Sequence, residues 1–112
     1  MKYRINLLPY NYYIKLPDDK KPGEMKESVK TCNVQEMIFN VILNPRLQHN
    51  GMRFYTIAKT ANRIKNCKED TILLDNTEYF IVKDCFENTT GFGSNDIELV
   101  NRVYEAVKVE EK

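Results

Sequence analysis

Apolar and polar residues alternate along the first part of the chain, which is the pattern of a β-strand. Every second residue from Tyr3 to Leu7 is apolar, and after Pro9 the alternation restarts and continues to residue 16. Residues 17–27 contain two prolines, a glycine and several charges, so they predict a loop. Residues 28–32 follow as a short return strand, which we expect to pair with residues 10–16.

Beyond residue 32 the apolar residues recur every three or four positions, which is the period of an α-helix. Asn33 with Glu36 forms an N-terminal capping pattern, and Asp75 with Glu78 forms an acidic version of the same pattern. Residues 71–74 are a short apolar run, either a strand or a buried turn. Helices are predicted at residues 33–44, 51–66, 76–88 and 95–108.

The apolar faces of these helices define the expected core. The face of the second helix comprises Phe54, Ile57, Ala58, Ala61 and Ile64. The face of the third helix is widened by Phe80, and that of the last comprises Ile97, Val100, Val103, Tyr104 and Val107. The sequence therefore predicts one α+β domain over residues 1–112, with an N-terminal β-hairpin or extended arm at 1–32 packed on a bundle of three to four helices within 33–108.

The composition is that of an ordinary globular domain, with 42% hydrophobic and 29% charged residues. The sequence has no run near the ~20 apolar residues of a membrane span, and its N-terminus lacks the apolar core of a signal peptide. The three cysteines are odd in number and widely spaced, which does not suit a disulfide framework. We expect a protein of the cytosol, or of a particle assembled there, with no membrane partner.

Charge is distributed unevenly behind a net charge of +1. Residues 37–68 contain six basic residues and no acid, whereas residues 69–112 contain eleven acids and four bases. Such asymmetry favours either an anionic partner or stacking of copies through opposite charges. Cations near a helix C-terminus also complement its dipole and need no ligand. The candidate basic patch consists of Arg46, Arg53, Lys59, Arg63, Lys65 and Lys68.

Tyrosines in the N-terminal arm are the second candidate binding feature. Tyr10, Tyr12 and Tyr13 could stack on the bases of a single-stranded nucleic acid or pack as ordinary strand residues. Tyr13 is out of phase with Tyr12, so we expect it to be exposed and available to an interface.

Catalytic chemistry has little support in the sequence. His49 has no acid near it in sequence and is expected to be a solvated loop residue. The cysteines lack the paired spacing of a zinc site, and Cys67 has neighbouring lysines but no base. Glu78, Asp84 and Glu87 are expected on a solvated helix face. We expect neither an enzyme nor a bound metal or cofactor.

The C-terminal third resembles small accessory proteins encoded by tailed bacteriophages. The resemblance lies in two runs, TILLDNTEYFIVKDCF from Thr71 to Phe86 and GFGSNDIELVNRVYEA from Gly91 to Ala106. It implies a place in the host cytoplasm or the virion. We therefore expect a non-enzymatic assembly or accessory protein that binds a protein partner, or its own copies, through complementary basic and acidic surfaces. The alternative is a nucleic-acid-binding protein or a DNA-mimicking inhibitor of a host enzyme.

Overall fold

The computed structural model describes residues 1–17 and 23–110 and confirms the predicted α+β fold. Two short 3-10 turns, Pro45–Leu47 and Ser94–Asp96, precede the second and fourth helices. The elements in chain order are β1 (Lys2–Asn6), β2 (Tyr10–Pro17), β3 (Met25–Cys32), α1 (Val34–Ile42), α2 (Gly51–Lys65), β4 (Thr71–Asp75), α3 (Asn76–Glu87), α4 (Ile97–Tyr104) and β5 (Val107–Val109).

The strands form two separate antiparallel sheets. The first has the order β4-β1-β5, with Tyr3 of the central strand opposite Leu74 on one side and Lys108 on the other. The second is the β2–β3 hairpin, in which Tyr10 lies opposite Cys32 at the base. The apolar run at residues 71–74 is therefore a strand rather than a turn.

The hairpin is confirmed, but the predicted loop at residues 17–27 is too long. Strand β3 begins at Met25, opposite Pro17, so both ends of that range belong to the ladder. Backbone pairing between the two strands extends the β conformation into a polar stretch that side-chain pattern alone assigns to a loop. Residues 18–22 of the predicted loop lie outside the described residues.

Local capping explains why the first and third helices begin where the sequence predicts. The side-chain oxygen of Asn33 accepts the backbone N–H of Glu36 at 3.1 Å. The Asp75 carboxylate accepts the N–H of Glu78 at 2.8 Å, and the Glu78 carboxylate accepts the N–H of Asp75 at 3.1 Å. Each cap satisfies backbone donors that have no partner inside the helix.

The prediction of a single helix over residues 95–108 is wrong. Helix α4 ends at Tyr104, and Val107–Val109 forms β5 against residues 2–4 of β1. A partner strand about a hundred residues away leaves no trace in the local apolar spacing, so periodicity extended the helix too far. The predicted stripe is wrong at both ends, since Ile97 and Val107 are each about 60% exposed, whereas Val103 is buried.

The core lies between the three-stranded sheet and the four helices. Ile5 of β1 and Leu74 of β4 have no exposed surface. Phe54 and Phe80, which were predicted to face inward, are about half exposed, and Thr60 is buried instead. The helical side chains with no more than 1% exposure are Val34, Ile38, Ile42, Ile57, Ala61, Ile64, Val82, Cys85, Leu99 and Val103.

Tyr79 joins the sheet to two helices. Its ring stacks on Tyr3 of β1 with the ring centroids 4.0 Å apart, and burial raises the pKa of its hydroxyl. The neutral hydroxyl donates a hydrogen bond of 2.8 Å to the main-chain oxygen of Val103 in α4. A single side chain of α3 thus fixes the position of α4 against β1.

We predict that Tyr79→Phe lowers the free energy of unfolding by about 1–2 kcal/mol, because the buried Val103 oxygen loses its donor while the ring stacking remains. The measurement is urea denaturation followed by circular dichroism. Tyr55→Phe is the matched control, because Tyr55 is 59% exposed, and it should change stability by less than about 0.5 kcal/mol. Equal effects of the two variants would contradict this role for Tyr79.

Candidate protein-interaction site

Strand β3 of the β2–β3 hairpin is exposed along most of its length. In β3 every residue from Met25 to Thr31 is exposed except Ser28, which is half-buried, and only Cys32 at the base is buried. Three apolar side chains lie largely in solvent: Tyr13 is 66% exposed, Met25 59% and Val29 54%. Tyr13 and Val29 are directly opposite each other in the ladder, so they form one exposed apolar pair.

The dimensions of the molecule show that the hairpin projects from the body. The radius of gyration is 16.4 Å, whereas a compact chain of this length has about 13 Å. The longest principal axis is 58 Å and the next is 33 Å. Eight-residue strands extend about 26 Å, which accounts for the difference between these axes. We call this projection, residues 10–17 and 25–32, the arm; it is shorter than the arm predicted over residues 1–32, because β1 lies at the centre of the core sheet.

Arg102 of α4 fixes the base of the arm. Its guanidinium donates to the main-chain oxygens of Asn6 at 3.1 Å and Leu8 at 2.9 Å, in the connection between β1 and β2. It also pairs with Glu98 at 2.7 Å and lies 5.5 Å from the ring centre of Tyr10. The side chain of Arg102 is only 13% exposed. The chain therefore leaves the core sheet and enters the arm through a fixed point.

The three candidate tyrosines of the arm have different environments. Tyr10 packs against the core, and burial, with a hydrogen bond to the Cys32 thiol, raises the pKa of its hydroxyl. Tyr12 is half-buried and lines a cleft shared with α1. Tyr13 alone is mostly exposed, as predicted from its phase. The structure therefore places one of the three where a partner could bury it fully.

Two members of the candidate basic patch bind carboxylates of the C-terminal half. Arg63 pairs with both oxygens of Glu78 at 2.8 Å and donates to the Leu73 oxygen at 2.7 Å. Arg53 is hydrogen-bonded to Asp84. Glu78 and Asp84 are therefore partly exposed partners in ion pairs between α2 and α3, pairs that the expectation of a solvated helix face did not include.

The other four basic residues are spread along α2 and beyond both of its ends. Lys59 lies 4.4 Å from the ring centre of Tyr55, and Lys65 lies 4.5 Å from that of Phe39. Arg46 precedes α2 and Lys68 follows it, so this 15-residue helix, about 22 Å long, separates them. None of the four forms an ion pair within the described part of the chain.

His49 and Cys85 form a contact that the sequence did not suggest. The Cys85 sulfur lies 3.9 Å from Nε2 of His49, across 36 residues of sequence. Nε2 lies 3.1 Å from the Ile42 oxygen, and Nδ1 lies 3.3 Å from the donating Nε of Arg53. His49 lies in a loop, as predicted, but it is half-buried rather than solvated.

The hydrogen bonds of His49 argue against a nucleophilic role for Cys85. Because the Ile42 oxygen can only accept and Arg53 Nε can only donate, the ring carries its proton on Nε2, the atom beside the thiol. The lone pair that a base needs lies on Nδ1 and is occupied by Arg53. Burial also raises the pKa of Cys85, which keeps the thiol protonated.

Within residues 1–17 and 23–110, no group of three or more histidine, cysteine or acidic side chains is arranged to hold a metal ion. Over the same residues, no helix is long and apolar enough to cross a membrane. Comparison of the chain with protein-family models, with curated proteins and with solved structures gives no match in any of the three.

We predict that Arg63→Ala lowers the free energy of unfolding by roughly 1 kcal/mol, because it removes a bidentate ion pair from the residue that caps α3. Lys59→Ala removes a cation of the same helix that has no ion pair in the described chain, and it should change stability by less than about 0.5 kcal/mol. Thermal and urea unfolding of both variants measure the difference. A larger loss for Lys59→Ala would show that the α2–α3 ion pair is unimportant.

We predict that iodoacetamide at pH 8 modifies Cys85 at least about ten-fold more slowly than the half-buried Cys67 in the folded protein. Burial and the raised pKa both lower the amount of accessible Cys85 thiolate, so its rate should rise with pH. Peptide mass spectrometry measures the modification, and protein unfolded in guanidinium is the control, in which both thiols should react alike. Fast native labelling of Cys85 would indicate an activated thiol instead.

Proposed function

We propose that this protein is a non-enzymatic protein-binding protein whose projecting arm is the contact element. The observation that carries the proposal is a two-stranded hairpin whose strand β3 is exposed on both faces from Met25 to Thr31, apart from the half-buried Ser28. An isolated two-stranded hairpin is marginally stable in water, and stable sheets need a third strand or a packed face. Binding of the arm to another protein would supply the third strand or the packed face that the chain itself lacks.

The exposed apolar residues of the arm support a protein partner over a nucleic acid. Tyr13, Val29 and Met25 offer apolar area, and aromatic residues and methionine are enriched at protein interfaces. Single-stranded nucleic acid would need several stacking rings beside cations. Of the three candidate tyrosines only Tyr13 is mostly exposed, and Arg53 and Arg63 already bind carboxylates of their own chain.

The arm is a better-supported contact element than the complementary charged surfaces expected from the sequence. Arg53 and Arg63 each neutralise a carboxylate of α3, which reduces the charge that either half of the chain presents. The remaining cations are spread along and beyond α2. In the setting that the resemblance implies, the protein is an accessory or assembly component of a tailed bacteriophage, found in the host cytoplasm or the virion.

The test is photo-crosslinking in cells that express the gene from its native locus. p-Benzoylphenylalanine replaces Tyr13 in one variant and Tyr55 in the control variant. Both positions hold a tyrosine that is more than half exposed, and only the first lies on the arm. We expect a discrete covalent adduct to a protein from position 13, which excess unlabelled wild-type protein suppresses.

The control position decides the interpretation. Tyr55 lies on α2, away from the arm, and should give no discrete adduct. Equal adducts from both positions would indicate nonspecific collision, and no adduct from position 13 would overturn the assignment of the arm as the contact element. The mass of the adduct also distinguishes a second copy of this chain from another protein.

A further inference from the structure

The outer edge of β4 in the core sheet is closed by the chain itself. The Arg63 guanidinium donates to the Leu73 oxygen at 2.7 Å, and the Cys67 thiol donates to the Thr71 oxygen at 3.6 Å. The Asp75 N–H donates to the Glu78 carboxylate at 3.1 Å. These groups occupy the alternate residues of β4 that face away from β1, so the strand offers few free groups to an added strand.

The opposite edge of the sheet is short. Strand β5 has only three residues, and beyond it the Arg102 guanidinium takes the Asn6 oxygen of β1. Natural sheets avoid edge-to-edge association by such short edge strands and by edge groups that are already bonded. The core sheet is therefore poorly suited to accept a strand from another molecule.

The arm lacks this protection. Both its strands have eight residues, and neither has a further strand beside its outer edge in the described structure. Strand β2 ends in Pro17, which has no N–H to donate. Strand β3 contains no proline, so each residue from Met25 to Cys32 keeps its backbone N–H. Strand β3 is the better of the two edges for adding a strand.

We propose that β3 pairs antiparallel with β3 of a second copy, about a two-fold axis at Val29, to give a four-stranded sheet. The inference rests on the proposed function, since it names the partner of the arm. A two-fold axis normal to the sheet places residues of the same face opposite each other. Glu27 then lies opposite Thr31 of the second copy, and Ser28 opposite its Lys30.

Charge selects this register over its neighbours. An axis at Ser28 would place Lys26 of each copy opposite Lys30 of the other. An axis at Glu27 or at Lys30 would place that residue opposite the same residue of the second copy. Like charges directly opposite on a sheet are destabilising. The axis at Val29 is the one among these four central positions that opposes no like charges.

Apolar contact supports the same register. Tyr13 already lies opposite Val29 within each chain. Pairing at Val29 extends this pair into a row of four side chains on one face, with the two valines at the centre and a tyrosine at each end. The second copy would cover Val29 of each chain. The row would join two Tyr13–Val29 pairs that lie apart in the separate chains. It would also give the arm the additional strands that an isolated hairpin lacks.

A charge exchange at Val29 tests the register. Sedimentation velocity over a concentration series should show a reversible dimer of the wild-type chain, with a dissociation constant on the order of micromolar or weaker for so small an interface. Val29→Lys and Val29→Glu should each weaken self-association by at least about five-fold, because each opposes like charges at the axis. An equimolar mixture of the two variants should associate again as a heterodimer.

Met52→Lys and Met52→Glu are the matched controls, because Met52 is 77% exposed on α2, and they should dimerise like the wild type. Circular dichroism of every variant shows whether the fold is retained. A monomer at all concentrations would overturn the inference, and so would a dimer insensitive to charge at position 29. A monomer whose Tyr13 position crosslinks to another protein would overturn this inference alone, whereas the absence of any crosslink would overturn the proposed function as well.

Discussion

The position of the arm depends on one guanidinium group. Arg102 bonds the two main-chain oxygens of the β1–β2 connection, and its charge is balanced by Glu98 one turn earlier in α4. A chain that leaves a central strand normally turns back onto the same sheet or a packed helix, because its backbone groups need partners. Here Arg102 supplies those partners at the point of departure, so the next strand can leave the sheet and pair only with β3.

Local signals were sufficient for the elements that begin with a cap. Asn33 and Asp75 each bond the third residue of the helix that follows them, and both interactions lie within four residues of sequence. The hairpin was predictable for a related reason, since its strands are close in sequence and separated by a turn-rich segment. In contrast, β5 pairs with β1 across almost the whole chain. The local spacing of apolar residues carries no information about so distant a partner. The predicted helix therefore ran through Val107, which belongs to β5.

The same limit explains what the sequence could reveal of the site. The exposure of Tyr13 followed from its phase in the strand, which is a local property. The partners of the basic segment could not be predicted in this way, because Arg53 pairs with Asp84 across 31 residues and Arg63 with Glu78 across 15. A segmental excess of charge shows how much charge a region carries and gives no information on which helix it will face. The His49–Cys85 contact was hidden in the same way.

Taken together, these interactions separate a self-contained body from an incomplete arm. In the body, ion pairs join α2 to α3, side chains close the edge of β4, and the described structure contains no buried side-chain nitrogen or oxygen without a hydrogen-bond partner. In the arm, backbone edges and apolar side chains are both exposed, although each would gain free energy on being covered. The long open strand edges of the described chain are therefore concentrated in one projection, whose direction the body fixes through Arg102. A protein that assembles by strand pairing requires this division, because the edge that binds must be open while every other edge is closed or short.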